Sequence, residues 1–190
     1  MSSIEEDLRI WSREVLEVPN QSLKGLSACP YAKEAWKKDK VLVVETDDVY
    51  ADSLRHCADF TTTGKELVVV ASYNIPKLNK FNKYVQNLNI LFENLHCMEF
   101  HPDYGAEDAE LDFLYDNDWE SSVSKPYCMV FIQDLKQVVH ASDKLQRLGY
   151  YDVYPEDEYE ELVVNRKRRL TDGYETSFYE EKTNGNEARW

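Results

Sequence analysis

KVLVVET, residues 40–46, and LVVVASY, residues 67–73, are valine-rich runs of strand length without polar alternation. Continuous apolar runs of this length mark strands buried on both faces, which places helices on either side of a sheet. The flanks supply those helices. After the first run, Asp47 or Asp48 suits the cap of a helix reaching about Phe60, and TTTGKE then turns the chain. After the second, Pro76 fits a helix start, where its missing N–H is harmless. Leu78, Phe81, Val85, Leu88, Phe92 and Leu95 then fall on one helical face. LHCMEFH, residues 95–101, alternates: Leu95, Cys97, Glu99 and His101 point one way, His96, Met98 and Phe100 the other. KPYCMVFIQ, residues 125–133, reads as a fourth strand. Asp134 caps the helix after it, with a stripe of Val138, Val139, Ser142 and Leu145 and Gly149 at its end.

Upstream, Ser3 and Glu6 fit a capping box ahead of Ile4, Leu8, Trp11 and Val15, which follow helical spacing. A short helix is expected from Pro30 to about Lys38. The order of elements predicts one α/β (or α+β) domain over residues 1–150: a single mixed sheet of about four strands with flanking helices. The long connection between the third and fourth strands has no helical pattern, so that pair is expected to be antiparallel. Residues 151–172 read as an additional helix, and residues 173–190 as a mobile acidic tail.

The chain has 190 residues and a formal net charge of −14, from 36 acids against 22 bases. That balance argues against nucleic acid or an anionic membrane as partner and is compatible with a basic protein. No apolar stretch approaches the roughly 20 residues of a membrane span. The start, MSSIEEDLRIW, lacks the pattern of a secretory signal. Four cysteines, at 29, 57, 97 and 128, are scattered without a C-x-x-C pair, which suggests free thiols in a cytoplasmic setting.

Two stretches carry residue types capable of chemistry. In LSACPYAKEAW, residues 26–36, Cys29 precedes Pro30 at the expected helix start. There, unpaired N–H groups and the helix dipole lower a thiol pKa. The opposing reading is a small residue that packs. In FHPDYG, residues 100–105, His101 leaves a strand with Asp103 close enough to orient its ring. The same letters also make a good turn without any function. Together, Cys29, His101 and Asp103 form a candidate nucleophile–base–carboxylate set, with Tyr104, Lys125 and Tyr127 as candidate binding residues. The same set, with Cys97 and Glu99, has donors for a metal but not metal-site spacing; no metal or cofactor is assigned. The carboxylates between Glu107 and Glu120 lack the order of a calcium loop and read as a solvated acidic loop anchored by apolar residues. NRKRRL, residues 165–170, reads as a basic cluster balancing neighbouring acids, with phosphate or RNA binding as the alternative.

CPYA at Cys29–Ala32 and FHPDY at Phe100–Tyr104 resemble the CPFA and FHPDY motifs of an uncharacterised bacterial family, a domain of unknown function. The surroundings are similar too: Gly25 and Leu26 before Cys29, Pro126-Tyr127 leading into a strand, and Arg168, Arg169 and Leu170 followed by Gly173. The resemblance covers about residues 8–174. This chain has GAEDAEL after FHPDY where the family has a Gln-Phe-Ala-Gly run, and Val-Ser-Lys before PY where the family has Asn-Arg-Ser. The resemblance implies that Cys29, His101 and Asp103 belong to recognisable motifs, and it implies no activity.

The function expected first is a small acidic interaction protein, regulatory or virus-encoded, binding a basic protein partner. A thiol-dependent enzyme built on Cys29, His101 and Asp103, with a small-molecule ligand, comes second. A metal-binding protein at the same residues comes third.

Overall fold

The computed structural model describes residues 3–103, 121–123 and 127–172. Four strands form one mixed sheet: β1 (Val41–Glu45), β2 (Leu67–Ser72), β3 (Leu95–Phe100) and β4 (Cys128–Asp134), in the order β1-β2-β4-β3. β1 and β2 are parallel, while β4 runs antiparallel to both β2 and β3. The expected antiparallel pairing of β3 with β4 is present, with Phe100 opposite Met129 and Leu95 opposite Asp134.

The valine-rich runs are strands because the sheet is covered on both sides. One face carries Val68, Val70, Leu95, Cys97, Val130 and Ile132. It packs under α3 (Val49–Asp59) and α4 (Leu78–Leu91), through Val49, Cys57, Phe81, Val85 and Leu88. The other carries Val41, Val69, Ala71, Met129 and Phe131 under α1 (Ile4–Trp11), which contributes Ile4, Leu8 and Trp11. Each fully buried side chain of this size contributes about 1.5–3 kcal/mol. A third, smaller cluster of Leu23, Leu145 and Tyr150 joins α5 (Leu135–Arg147) to the loop after α1.

Local chemistry sets the helix ends. The Ser3 hydroxyl accepts from the Glu6 N–H, Asp48 from the N–H groups of Tyr50 and Ala51, and Asp134 from that of Gln137. Gly149 closes α5 at φ 75°, and a Cβ there would meet an Asp152 carboxylate oxygen at 2.8 Å. α1 passes into a π-helical turn (Ser12–Leu16) rather than continuing as a regular helix. Residues 156–172 are helical in three pieces: α6 (Glu156–Tyr159), a π turn (Glu160–Asn165) and α7 (Arg166–Asp172). Pro76 lies outside α4, which starts at Leu78 behind Lys77.

β3 is an edge strand whose open side is closed by side chains. The buried Asn89 of α4 donates to the Cys97 carbonyl and accepts from the Cys97 N–H, each at 2.8 Å, as a neighbouring strand would. Arg169 donates to the Leu95 carbonyl at 2.9 Å. An unpaired edge invites pairing with another chain, and these bonds occupy part of it. The expected acidic loop of residues 107–120 and tail of residues 173–190 lie outside the described residues.

Candidate functional site

β2 and β3 both oppose β4, and β1 follows β2, so the C-terminal ends of β1, β2 and β3 share one end of the sheet. In α/β sheets ligands bind in the crevice outside these ends, where βα loops diverge. Here two such loops meet. In the first, the Thr46 N–H donates to the Ala71 carbonyl, the Thr46 hydroxyl bonds the Asp52 carboxylate, and Asp48 caps α3. In the second, the Asn74 N–H donates to the Ser72 hydroxyl at 3.1 Å. The Asn74 side chain then donates to the Asp47 carbonyl at 2.8 Å, tying the loops together. Between them lies an open cleft of 510 Å³, with Asp47, Asp48 and Tyr50 on one side and Tyr73, Asn74 and Ile75 on the other.

The cleft is acidic and aromatic. Tyr73 is 49% exposed and Ile75 43% exposed, large residues for an open surface. Burial, with the charges of Glu45 and Asp7, raises the Tyr73 hydroxyl pKa. Behind Tyr73, the ring of Tyr127 meets it edge-on at 5.7 Å. Tyr127 is 2% exposed, and burial, Asp7 and Tyr73 push its hydroxyl to about 12. Tyr50 is held from below by Phe81 at 6.4 Å and Tyr84 at 4.6 Å.

His101 supports this cleft from inside. Its Nδ1 accepts from the Asp103 N–H at 3.1 Å, which leaves Nε2–H to donate to the Pro76 carbonyl at 2.8 Å. The side chain is fully buried, with its ring 5.9 Å from Phe81. His101 therefore links the exit of β3 to the loop after β2. Asp103 does lie beside it, with a carboxylate oxygen 3.7 Å from Nδ1, but that side chain is 73% exposed.

Cys29 is elsewhere. Its N–H donates to Leu16, which packs on the α1 face of the sheet, and its neighbour Ala28 accepts from the Tyr150 hydroxyl. His101 packs on Phe81, in the core on the opposite face. The structure does not bring the two together. The local expectation for Cys29 is also corrected. Pro30 and Tyr31 form a turn closed by the Ala32 N–H on the Cys29 carbonyl, and α2 (Ala32–Lys37) begins three residues after the cysteine. Burial pushes the thiol pKa up, against the pull of the Tyr31 and Ala32 N–H groups, with Glu17 adding to the rise. A thiol held protonated is a poor nucleophile. Iodoacetamide at pH 7.5 is expected to alkylate Cys29 at least roughly tenfold more slowly than an unstructured cysteine peptide. His101→Ala should leave that rate unchanged; fast labelling that this substitution abolishes would restore the thiol–imidazole pair.

Cys97 turns its sulfur into the core, 3.6 Å from that of Cys57. No group of three or more potential metal ligands occurs among the described residues. No helix among them is long and apolar enough to cross a membrane. Tyr104 and Lys125 lie outside the described residues.

No family model, curated protein or solved structure matches this chain.

The cleft residues escaped the sequence reading, although a signal was present. TDDVY and YNIP follow the two valine-rich strands directly, where loops at the C-terminal ends of parallel strands gather.

Proposed function

We propose that this chain is a protein-interaction module that binds a basic segment of a partner in the cleft after β1 and β2. The observation that carries this reading is the pairing of the Asp47 and Asp48 carboxylates with the exposed Tyr73 and Ile75 around one open cleft. A lysine or arginine entering it would meet carboxylates and an aromatic face, each favourable to a cation. Ile75 offers apolar surface to the adjoining part of the segment. The net charge of −14 would steer such a partner at long range. Lys77, exposed next to Pro76, sets a positive rim on one side and so favours one orientation of the segment.

Hexa-arginine and hexaglutamate peptides provide the test, titrated at low and high salt by fluorescence anisotropy. Hexa-arginine is expected to bind, and to weaken as salt rises. The double substitution Asp47→Lys with Tyr73→Ala should reduce its affinity by roughly tenfold or more, from lost charge and cation–π contacts. Asp48 is left intact because it caps α3. Equal affinity in the double variant, or equal binding of hexaglutamate, rules the cleft out.

A further inference from the structure

The two edges of the sheet differ. On β3, Asn89 and Arg169 bond outward backbone groups of Cys97 and Leu95. β1 is the other edge, at the opposite end of the strand order. The Leu67 N–H donates to the Lys40 carbonyl, and the Thr46 N–H donates to the Ala71 carbonyl. With the parallel register of Val41 opposite Leu67, these bonds turn the backbone groups of Lys40, Leu42, Val44 and Thr46 toward β2. The N–H and C=O groups of Val41, Val43 and Glu45 therefore point away from the sheet. None of them meets a hydrogen-bond partner among the described residues.

β1 also lacks devices that block pairing. It contains no proline, and its register against β2 runs without a bulge. Its apolar side chains are only partly covered: Leu42 and Val44 on the α3 side of the sheet, Val43 on the α1 side. Charge then selects the occupant. The strand ends in the exposed acids Glu45, Asp47 and Asp48, and the last two line the cleft. The charge of Glu45 also acts on the Tyr73 hydroxyl across that cleft. The edge is thus continuous with the cleft at its acidic end. A second copy would bring another chain of net charge −14 against these acids, whereas a basic segment is attracted to them.

We propose that the open edge of β1 takes an extended basic segment of a partner protein as an added antiparallel strand, with the basic end of the segment in the cleft after β1 and β2. The basic end depends on the cleft binding proposed above; the strand depends on the edge alone. Val41 to Asp47 spans about 20 Å at about 3.3 Å per residue, so about seven residues reach from one to the other. An antiparallel segment starts beside the C-terminal end of β1, so its positive charge belongs in its first residues. The backbone groups of Val41, Val43 and Glu45 hold its main chain, and its later side chains pack beside Leu42, Val43 and Val44.

The probe is a heptapeptide of lysine and arginine followed by alternating threonine and valine, added to the full chain. Amide hydrogen exchange by NMR reads the edge directly. In the complex, the amides of Val41, Val43 and Glu45 should exchange roughly tenfold or more slowly, while Leu42 and Val44, already bonded to β2, should change little. Two further peptides, N-methylated on the valines or on the threonines, each lose the donors of one edge. One pattern should weaken binding by roughly tenfold or more and the other should not. Val43→Pro removes an outward N–H without removing a bond to β2, so it should fold and bind the peptide at least roughly tenfold more weakly. Should that variant fail to fold, the methylated pair gives the same test in wild type. Binding that leaves the three amides fast, or that both methylated peptides retain, overturns strand addition. The cleft reading survives that result if Asp47→Lys with Tyr73→Ala still weakens the peptide. Edge protection at undiminished affinity in that double variant overturns the cleft reading and leaves strand addition standing. Slow exchange of the three amides before any peptide is added would mean that the chain itself or a second copy holds the edge, and it overturns the proposal.

Discussion

Phe81→Ala is expected to destabilise the protein by about 3–5 kcal/mol, the cost of removing a large buried aromatic ring. At this chain length that corresponds to a fall of roughly 6–20 °C in the melting temperature. Phe81 is fully buried, in the core beneath α3 and α4, and its ring contacts both Tyr50 and His101. It is thus the common support of one wall of the cleft and of the histidine that fixes Pro76. Calorimetry should show the loss of stability. In variant protein that remains folded at low temperature, hexa-arginine binding should weaken as well. Phe81→Leu, nearer in volume, should retain most of both. A Phe81→Ala protein that melts within about 2 °C of wild type would show that the cavity collapses without cost.

The second large effect concerns Asn89. Asn89→Ala should cost about 2–4 kcal/mol, because a buried N–H and a buried carbonyl of Cys97 each lose their partner. The expected fall in melting temperature is roughly 5–15 °C. Arg169 loses a bond to the same side chain. Native-state hydrogen exchange offers a local check. The Cys97 amide, protected by the Asn89 side-chain oxygen at 2.8 Å, should exchange far faster in the variant. Unchanged protection at Cys97 would mean that water or a shifted backbone replaces the asparagine.

Asn89 also shows where sequence reading stops. The apolar stripe of α4 was legible from Phe81, Val85 and Leu88, since helical period alone picks them out. A polar residue beside that stripe looks solvent-facing until the strand it serves is known. Local signals elsewhere worked for the same reason that Asn89 did not. Ser3, Asp48 and Asp134 cap helices through bonds within three residues, so their neighbours in the sequence suffice. The alternation of residues 95–101 placed His96 and Met98 on one face and His101 on the other, because a strand fixes that parity.

Non-local geometry was hidden. The four-strand mixed sheet was expected, but periodicity does not determine the insertion of β4 between β2 and β3. The fate of Cys29 turned on a single turn at Pro30 and Tyr31, which displaced the helix start and let burial govern the thiol. FHPDY was legible as a strand exit. Whether its histidine faced solvent or a backbone carbonyl depended on Pro76, 25 residues away.

The position of β4 also governs how the protein comes into being. β2 and β3 never pair with each other; each waits for a strand that ends at Asp134. During synthesis both therefore leave the ribosome before their common neighbour exists, and closing the sheet requires distant segments to meet. In that interval LVVVAS, residues 67–72, is a bare hydrophobic edge suited to pairing between nascent chains. The seven carboxylates between Glu107 and Glu120 emerge before β4, and their mutual repulsion would keep neighbouring nascent chains apart until the last strand arrives. A product truncated before residue 134 would keep the sticky strand and lose its partner, which makes it a substrate for chaperones and proteases rather than a smaller folded protein.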